Sequence, residues 1–235
     1  MQGWTLLQGP TLQRGDNFRK LHYYYTMPTK NRIKTYGAGE YYHVYNRGVA
    51  KQAIFKEETD YFYFLSLFKR HLQIDEESID RYGRPIKNFS EEVELNAFCL
   101  MPNHFHLLFF LKEQTGIEYL MRSIMTAYTM YFNKKYQRVG QLCQGNFLAS
   151  RITNDMYFWH ISRYIHLNAM DIVENYTRYP YSSFQYFTGE KHASWLHPER
   201  IVTTDEEKKQ YIDFVADYET MHDDMKLLKE ILAAE

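Results

Sequence analysis

Two histidines stand one residue apart in the stretch NHFHLL, residues 103–108, at the start of a run of large apolar side chains. On a β-strand the side chains at i and i+2 share a face, so His104 and His106 would project together. Two imidazoles on one face can converge on a single metal ion, and a third ligand would then have to come from another element. The alternative interpretation is an edge strand whose histidines only meet solvent.

A tyrosine and an asparagine four residues apart are candidates to complete such a site. In RYIHLN, residues 163–168, Tyr164 and Asn168 would lie on the same face of a helix. The amide oxygen of Asn168 could ligate a metal, and Tyr164 would then hold its hydroxyl beside whatever the metal binds. Taken alone, this pair is more often a packed tyrosine and an asparagine near a helix end.

The elements that would position these residues follow from hydrophobic periodicity and turn residues. The predicted strands are residues 40–48, 93–101 and 104–112, with a strand-like return over 140–152; the predicted helices are 57–72, 115–137, 154–170 and 205–232. Only Pro102 and Asn103 separate the second and third strands, which indicates an antiparallel hairpin. The order β-α-β-β-α-β-α indicates a split βαβ arrangement, an α+β fold with an antiparallel sheet and helices packed on one face.

Length and composition indicate one domain with appendages. We expect an N-terminal extension over residues 1–35, the folded domain over 36–190 and an acidic helical tail over 191–235. The formal net charge is −1, but residues 201–235 carry ten acidic and four basic side chains, so the rest of the chain is at +5. A modestly basic body is compatible with nucleic acid as a partner.

Several classes of protein are disfavoured by the sequence. Two cysteines, Cys99 and Cys143, cannot make a disulfide framework, and neither a signal peptide nor an apolar run of membrane-spanning length is visible. We therefore expect a cytoplasmic protein without a membrane partner.

Cationic side chains interleave with aromatic ones in a pattern typical of single-strand binding, where cations meet phosphates and rings stack on bases. The cations are Arg47, Lys134, Lys135, Arg138 and Arg151, and the aromatic residues are Tyr136 and Phe147. For any one of these cations a solvated surface position is an equal alternative.

The motif LMPNHFHLL, residues 100–108, together with YYHVYNRG before it and YIHLNAM after it, resembles the single-tyrosine HUH transposases, in particular the REP-associated branch. The likeness extends over about residues 40–188 and ends in YPYSSFQYF. It implies a ferredoxin-like fold and an enzyme that cuts single-stranded DNA beside hairpins and rejoins it through a 5′-phosphotyrosine, using Mg²⁺ or Mn²⁺.

The resemblance also implies roles for individual residues. His104 and His106 would be metal ligands, Asn168 the third ligand and Tyr164 the nucleophile. The same motif supports Asn46 and Arg47 as DNA contacts, and a homodimer is compatible with the family.

Two positions depart from the family pattern. Asn146 replaces an arginine in the Gln-Gly-Arg-Phe motif, and Ala169 replaces a proline after Asn168. The missing arginine motivates an alternative, a hairpin-binding protein that has lost the chemistry. A hydrolase of small phosphodiesters is a third hypothesis.

Four further residues near the motifs need an assignment. Tyr128 and Tyr131 are rival nucleophiles, but their spacing with apolar neighbours favours filling of the core. We expect a structural or supporting role for His166 and a solvent or packing role for His160.

Overall fold

The protein is described here from a computed structural model that covers residues 36–73, 79–80, 82–152 and 156–217. The predicted extension over 1–35 and the predicted helix beyond residue 217 lie outside these ranges. The strands are β1 (Glu40–Arg47), β2 (Val93–Met101), β3 (His104–Leu111) and β4 (Leu148–Ile152); the helices are α1 (Glu58–Leu72), α2 (Gly116–Lys135), α3 (Met156–Leu167), α4 (Phe184–Phe187) and α5 (Asp205–Ala216). Short 3₁₀ turns follow β1 and α3, at Val49–Lys51 and Asn168–Asp171.

The four strands form one sheet in the order β2-β3-β1-β4, and every neighbouring pair is antiparallel. This is the order of a ferredoxin-like split βαβ unit, so the predicted α+β fold is confirmed. The predicted strand-like return begins later than expected, because only its last five residues pair with β1.

The alternation of side chains along β3 divides the molecule into two layers. Phe105 and Phe109 face the helical layer, where their ring centroids lie 5.4 and 6.2 Å from those of Phe64 and Phe68 on α1. Helix α2 completes this layer, since the Tyr128 ring packs edge-on against Phe64. The two crossover helices thus lie on one face of the sheet, as the sequence predicts.

Helix α3 lies on the opposite face, which carries the histidines of β3. The ring of Tyr164 on α3 contacts the ring of His106, with centroids 5.3 Å apart. This helix follows the fourth strand and is outside the split βαβ unit, so it is free to cover the second face. The face of the sheet that carries His104 and His106 thereby lies beneath α3.

The β2–β3 turn is held in place by the segment that follows β1. The carbonyl oxygen of Pro102 accepts hydrogen bonds from the backbone N–H groups of Ile54 and Phe55, and that of Asn103 accepts from Gly48. Gly48 lets the segment after β1 fold back closely, since a Cβ there would lie 2.2 Å from the carbonyl oxygen of Gln52. Hydrogen bonds from the segment after β1 therefore hold the turn next to His104 in place.

Helix α5 begins with a capping box and packs on α3. The Thr204 side chain accepts from the Glu207 backbone N–H, and the Glu207 side chain reaches back to the Thr204 backbone. Tyr211 of α5 is fully buried and donates to Ser162 Oγ on α3 at 2.9 Å. Within the described ranges, no helix is both long enough and apolar enough to cross a bilayer.

Candidate active site

The floor of the site is one face of the two central strands. Antiparallel register pairs Arg47 of β1 with His104 of β3, and Tyr45 with His106. Paired residues share a face, so these four side chains project together. His43, two residues before Tyr45, extends the same row. The predicted common face of His104 and His106 is therefore the face covered by α3.

The two histidines of the hairpin are close to each other and are held through their Nδ1 atoms. Their ring centroids are 5.0 Å apart and the rings are nearly perpendicular. His104 Nδ1 lies 2.6 Å from Asn103 Oδ1, and His106 Nδ1 lies 2.9 Å from His43 Nε2. Since an amide oxygen only accepts, His104 donates from Nδ1, which leaves its Nε2 as the basic nitrogen.

Helix α3 brings Tyr164 to these rings and Asn168 to the end of the same helical face. Tyr164 is 5% exposed, and its ring also meets His43 edge-on, at 5.9 Å between centroids. Burial raises the pKa of the Tyr164 phenol, and a hydrogen bond from the Asn168 side chain opposes that rise. Asn168 is buried, and its Nδ2 donates to the Tyr164 carbonyl at 2.7 Å.

This donor set fits a hard or borderline divalent cation. Two imidazoles whose Nδ1 atoms are engaged can offer Nε2, and the amide of Asn168, which donates through Nδ2, keeps its oxygen as a ligand. Among the described residues, no group of three His, Cys, Asp or Glu side chains could hold a metal. The amide oxygen of Asn168 is the candidate for a third ligand.

Of the six predicted DNA contacts, Arg47 lies on the face of the histidine pair and is exposed. Asn46 projects to the other face because side chains alternate along a strand; it pairs with Phe105 and donates to the Gly145 carbonyl at 3.3 Å. Arg151 pairs in register with Tyr42, also on the other face, and forms an ion pair with Glu40.

The three predicted contacts near the end of α2 belong to the helical layer on the opposite side of the sheet. Lys135 donates to the fully buried carboxylate of Asp60 at 2.7 Å and to Glu57 at 2.5 Å. Arg138 donates to Asn133, whereas Lys134 is exposed. The structure thus does not bring these three cations to the histidine pair, and their role in DNA binding stays a prediction.

The rival tyrosines and the two remaining histidines have structural contacts. Tyr128 is fully buried and donates to the Ile54 carbonyl at 2.6 Å, and Tyr131 donates to Asp60 at 3.1 Å. His160 packs edge-on against Phe214, and His166 is buried between α3 and α5. These four residues fill the core and the interface between helices.

Sequence reasoning missed two residues of the site, His43 and Tyr45. Their rings stack on each other at 5.0 Å, and both stack on His106. The alternation in EYYHVYNRG already puts them on one face with Arg47, which was the available signal. The register between β1 and β3, which places them against His106, cannot be obtained from that pattern.

Comparison with known proteins finds one matching family model and a similar solved structure. The family model described as "Transposase IS200 like" matches residues 58–168, a span that contains His104, His106, Tyr164 and Asn168. Among solved structures, a REP-associated tyrosine transposase bound to a REP hairpin is similar at 16% identity, with 69% of this chain and 88% of that chain covered and a TM-score of 0.48. No curated protein matches the chain.

Proposed function

We propose that this protein nicks and rejoins single-stranded DNA beside hairpins. The match of residues 58–168 to the IS200-like transposase model supports the proposal and agrees with the resemblance seen in the sequence. The observation that carries the proposal is the contact of the Tyr164 ring with His106, at 5.3 Å between centroids, one helical turn before Asn168. A phenol, two imidazoles and an amide are the groups that such a reaction needs in one place.

His104, His106 and Asn168 would hold Mg²⁺ or Mn²⁺. When bound, the ion would polarise the scissile phosphate and offset the charge that builds on its oxygens. Arg47, on the same face and exposed, would contact the DNA backbone beside the site.

Tyr164 would act as the nucleophile in cleavage. Its phenolic oxygen attacks phosphorus, a bond from that oxygen to phosphorus forms, and the bond from phosphorus to the 3′ oxygen breaks. The phenolic proton is lost and the departing oxygen gains one, so the products are a 5′-phosphotyrosine and a 3′-hydroxyl. In rejoining, a DNA 3′-hydroxyl attacks the phosphotyrosine and tyrosine is released, so no nucleotide cofactor is consumed.

The environment of Tyr164 sets a requirement on this step. A phenol has a pKa near 10 in water, and burial raises the pKa of Tyr164 further, so the group is neutral at pH 7. The proton must therefore leave before or as the bond to phosphorus forms. Donation from the Asn168 side chain to the phenolic oxygen would favour the phenolate, which would give that residue a second role beside its amide oxygen.

The test is formation of a covalent protein–DNA adduct. Labelled single-stranded DNA with a hairpin is incubated with the full chain and Mg²⁺ or Mn²⁺, and adducts that survive denaturant are counted. We expect the adduct with wild type and its loss in Tyr164→Phe. Tyr45→Phe is the matched control, because Tyr45 is the other tyrosine whose ring stacks on His106. Loss of the adduct in Tyr45→Phe with its retention in Tyr164→Phe would assign the nucleophile to Tyr45 instead.

A second candidate function is hairpin binding without chemistry. It is favoured by the burial of Tyr164 and by the exposed Asn146, which stands where the Gln-Gly-Arg-Phe motif of the resemblance has an arginine. In that case hairpin DNA binds, as fluorescence anisotropy would show, but no adduct forms at any concentration of either metal.

A further inference from the structure

His43 lies at the centre of the candidate site although the sequence motifs assign no role to it. Its side chain is 1% exposed, and its ring stacks on His106 with centroids 5.1 Å apart and planes 13° apart. It also meets the Tyr164 ring edge-on. The residue lies in β1, outside the span that the transposase family model matches.

The hydrogen bond between His43 and His106 joins two imidazoles, so one ring must donate and the other must accept. The 2.9 Å contact is between His43 Nε2 and His106 Nδ1. The two facing nitrogens cannot both carry a proton, and they cannot both lack one. A neutral imidazole can accept such a bond, so His43 Nε2 is the acceptor when His106 carries its proton on Nδ1.

His104, the other candidate ligand, is also held through Nδ1, and there the identity of the acceptor is known. His104 Nδ1 faces Asn103 Oδ1 at 2.6 Å, and an amide oxygen only accepts. His104 is thus held with its proton on Nδ1 and its lone pair on Nε2. If His106 is to bind the same ion through Nε2, its Nδ1 must also carry the proton and donate it.

We propose that His43 is a positioning residue that accepts the Nδ1–H of His106, fixing the tautomer in which His106 Nε2 can ligate a divalent cation. His43 does not touch the metal or the substrate. The inference rests on the proposed function, because it assigns His106 as a ligand. It gives β1 a supporting part in metal binding, beside the two ligands that β3 would supply.

The rival interpretation is that His43 is a core residue that only fills space. Both interpretations predict a loss of stability on substitution, so stability alone does not separate them. They differ in what an isosteric ring without an acceptor does to metal affinity. They also differ in the tautomer of His106 before metal is added.

The experiment measures Mn²⁺ affinity of the full chain by titration calorimetry and by electron paramagnetic resonance. His43→Phe keeps an aromatic ring without an acceptor, and His43→Gln keeps an acceptor. We expect Mn²⁺ affinity to fall about 10- to 100-fold in His43→Phe and much of it to return in His43→Gln. His71→Phe is the control, since His71 is a buried histidine of α1 whose Nδ1 contacts the Lys87 carbonyl, and it should bind Mn²⁺ as wild type does. Affinity of wild-type strength in His43→Phe, or an equal loss in His71→Phe, overturns the proposal.

Two further measurements keep the outcome decisive. Long-range ¹⁵N–¹H spectra of the metal-free wild type should show His106 protonated on Nδ1 and His43 unprotonated on Nε2; the reverse assignment overturns the proposal even if His43→Phe fails to fold. If wild type binds Mn²⁺ no better than His106→Ala, the metal site of the proposed function fails and takes this inference with it. If wild type binds better than His106→Ala but His43→Phe equals wild type, only the inference fails.

Discussion

Replacement of Tyr211 by phenylalanine tests how the helix that carries Tyr164 is held. The Tyr211 hydroxyl lies 2.9 Å from Ser162 Oγ and 2.8 Å from His166 Nδ1, and His166 Nε2 lies 2.8 Å from Ser183 Oγ. Ser162 donates onward to the Trp159 carbonyl at 3.1 Å. The Tyr211 hydroxyl therefore bridges two buried groups of α3, Ser162 and His166.

The magnitude follows from the groups that the substitution leaves behind. Phenylalanine keeps the ring and its packing, so no large cavity forms. His166 is fully buried and its Nδ1 loses its partner, which costs about 1–3 kcal/mol for an unsatisfied buried polar group. We therefore expect Tyr211→Phe to lower the free energy of unfolding by about 2 kcal/mol.

Urea unfolding followed by circular dichroism measures this change. The control is Tyr119→Phe on α2, whose side chain is 49% exposed and which should change stability by less than about 0.5 kcal/mol. Hydrogen exchange adds a local test, because amides of α3 should lose protection in Tyr211→Phe. Equal urea midpoints for the two variants would refute the idea that the hydrogen bonds of Tyr211 stabilise the packing of α3.

Two further predictions concern acid and DNA. Burial lowers the pKa of both His43 and His166 to about 3, so between pH 6.5 and 3 the unfolded chain binds protons that the folded chain does not, and stability falls as the pH drops. Each histidine should lower the free energy of unfolding by about 2 kcal/mol between pH 7 and pH 5. Urea midpoints that do not fall over this range would contradict the buried, neutral state of the two histidines. Arg47→Ala should weaken binding of hairpin-flanked single-stranded DNA and reduce the salt slope of the binding constant by about 1. Lys135→Ala should lower stability without that effect, since its ammonium is paired with Asp60; anisotropy titrations at several salt concentrations compare the two.

The sequence by itself was sufficient to predict the helices and strands and to say which residues share a face within one element. Period-two alternation puts His104 and His106 on one side of a strand, and helical spacing puts Tyr164 and Asn168 on one side of a helix, because both rules depend only on local backbone geometry. The two-residue connection at Pro102-Asn103 likewise predicts the hairpin, since so short a link leaves no other arrangement.

Only the tertiary structure decided which faces meet. The pairing of β1 with β3 brings His43 against His106 and turns Asn46 away, although both lie in the same short motif. A shift of one residue in register would exchange these two faces, and nothing local sets that register. Packing also decided that Lys135 pairs with Asp60 and that α3 covers the histidine face, because contacts between segments distant in sequence depend on how the whole core is filled.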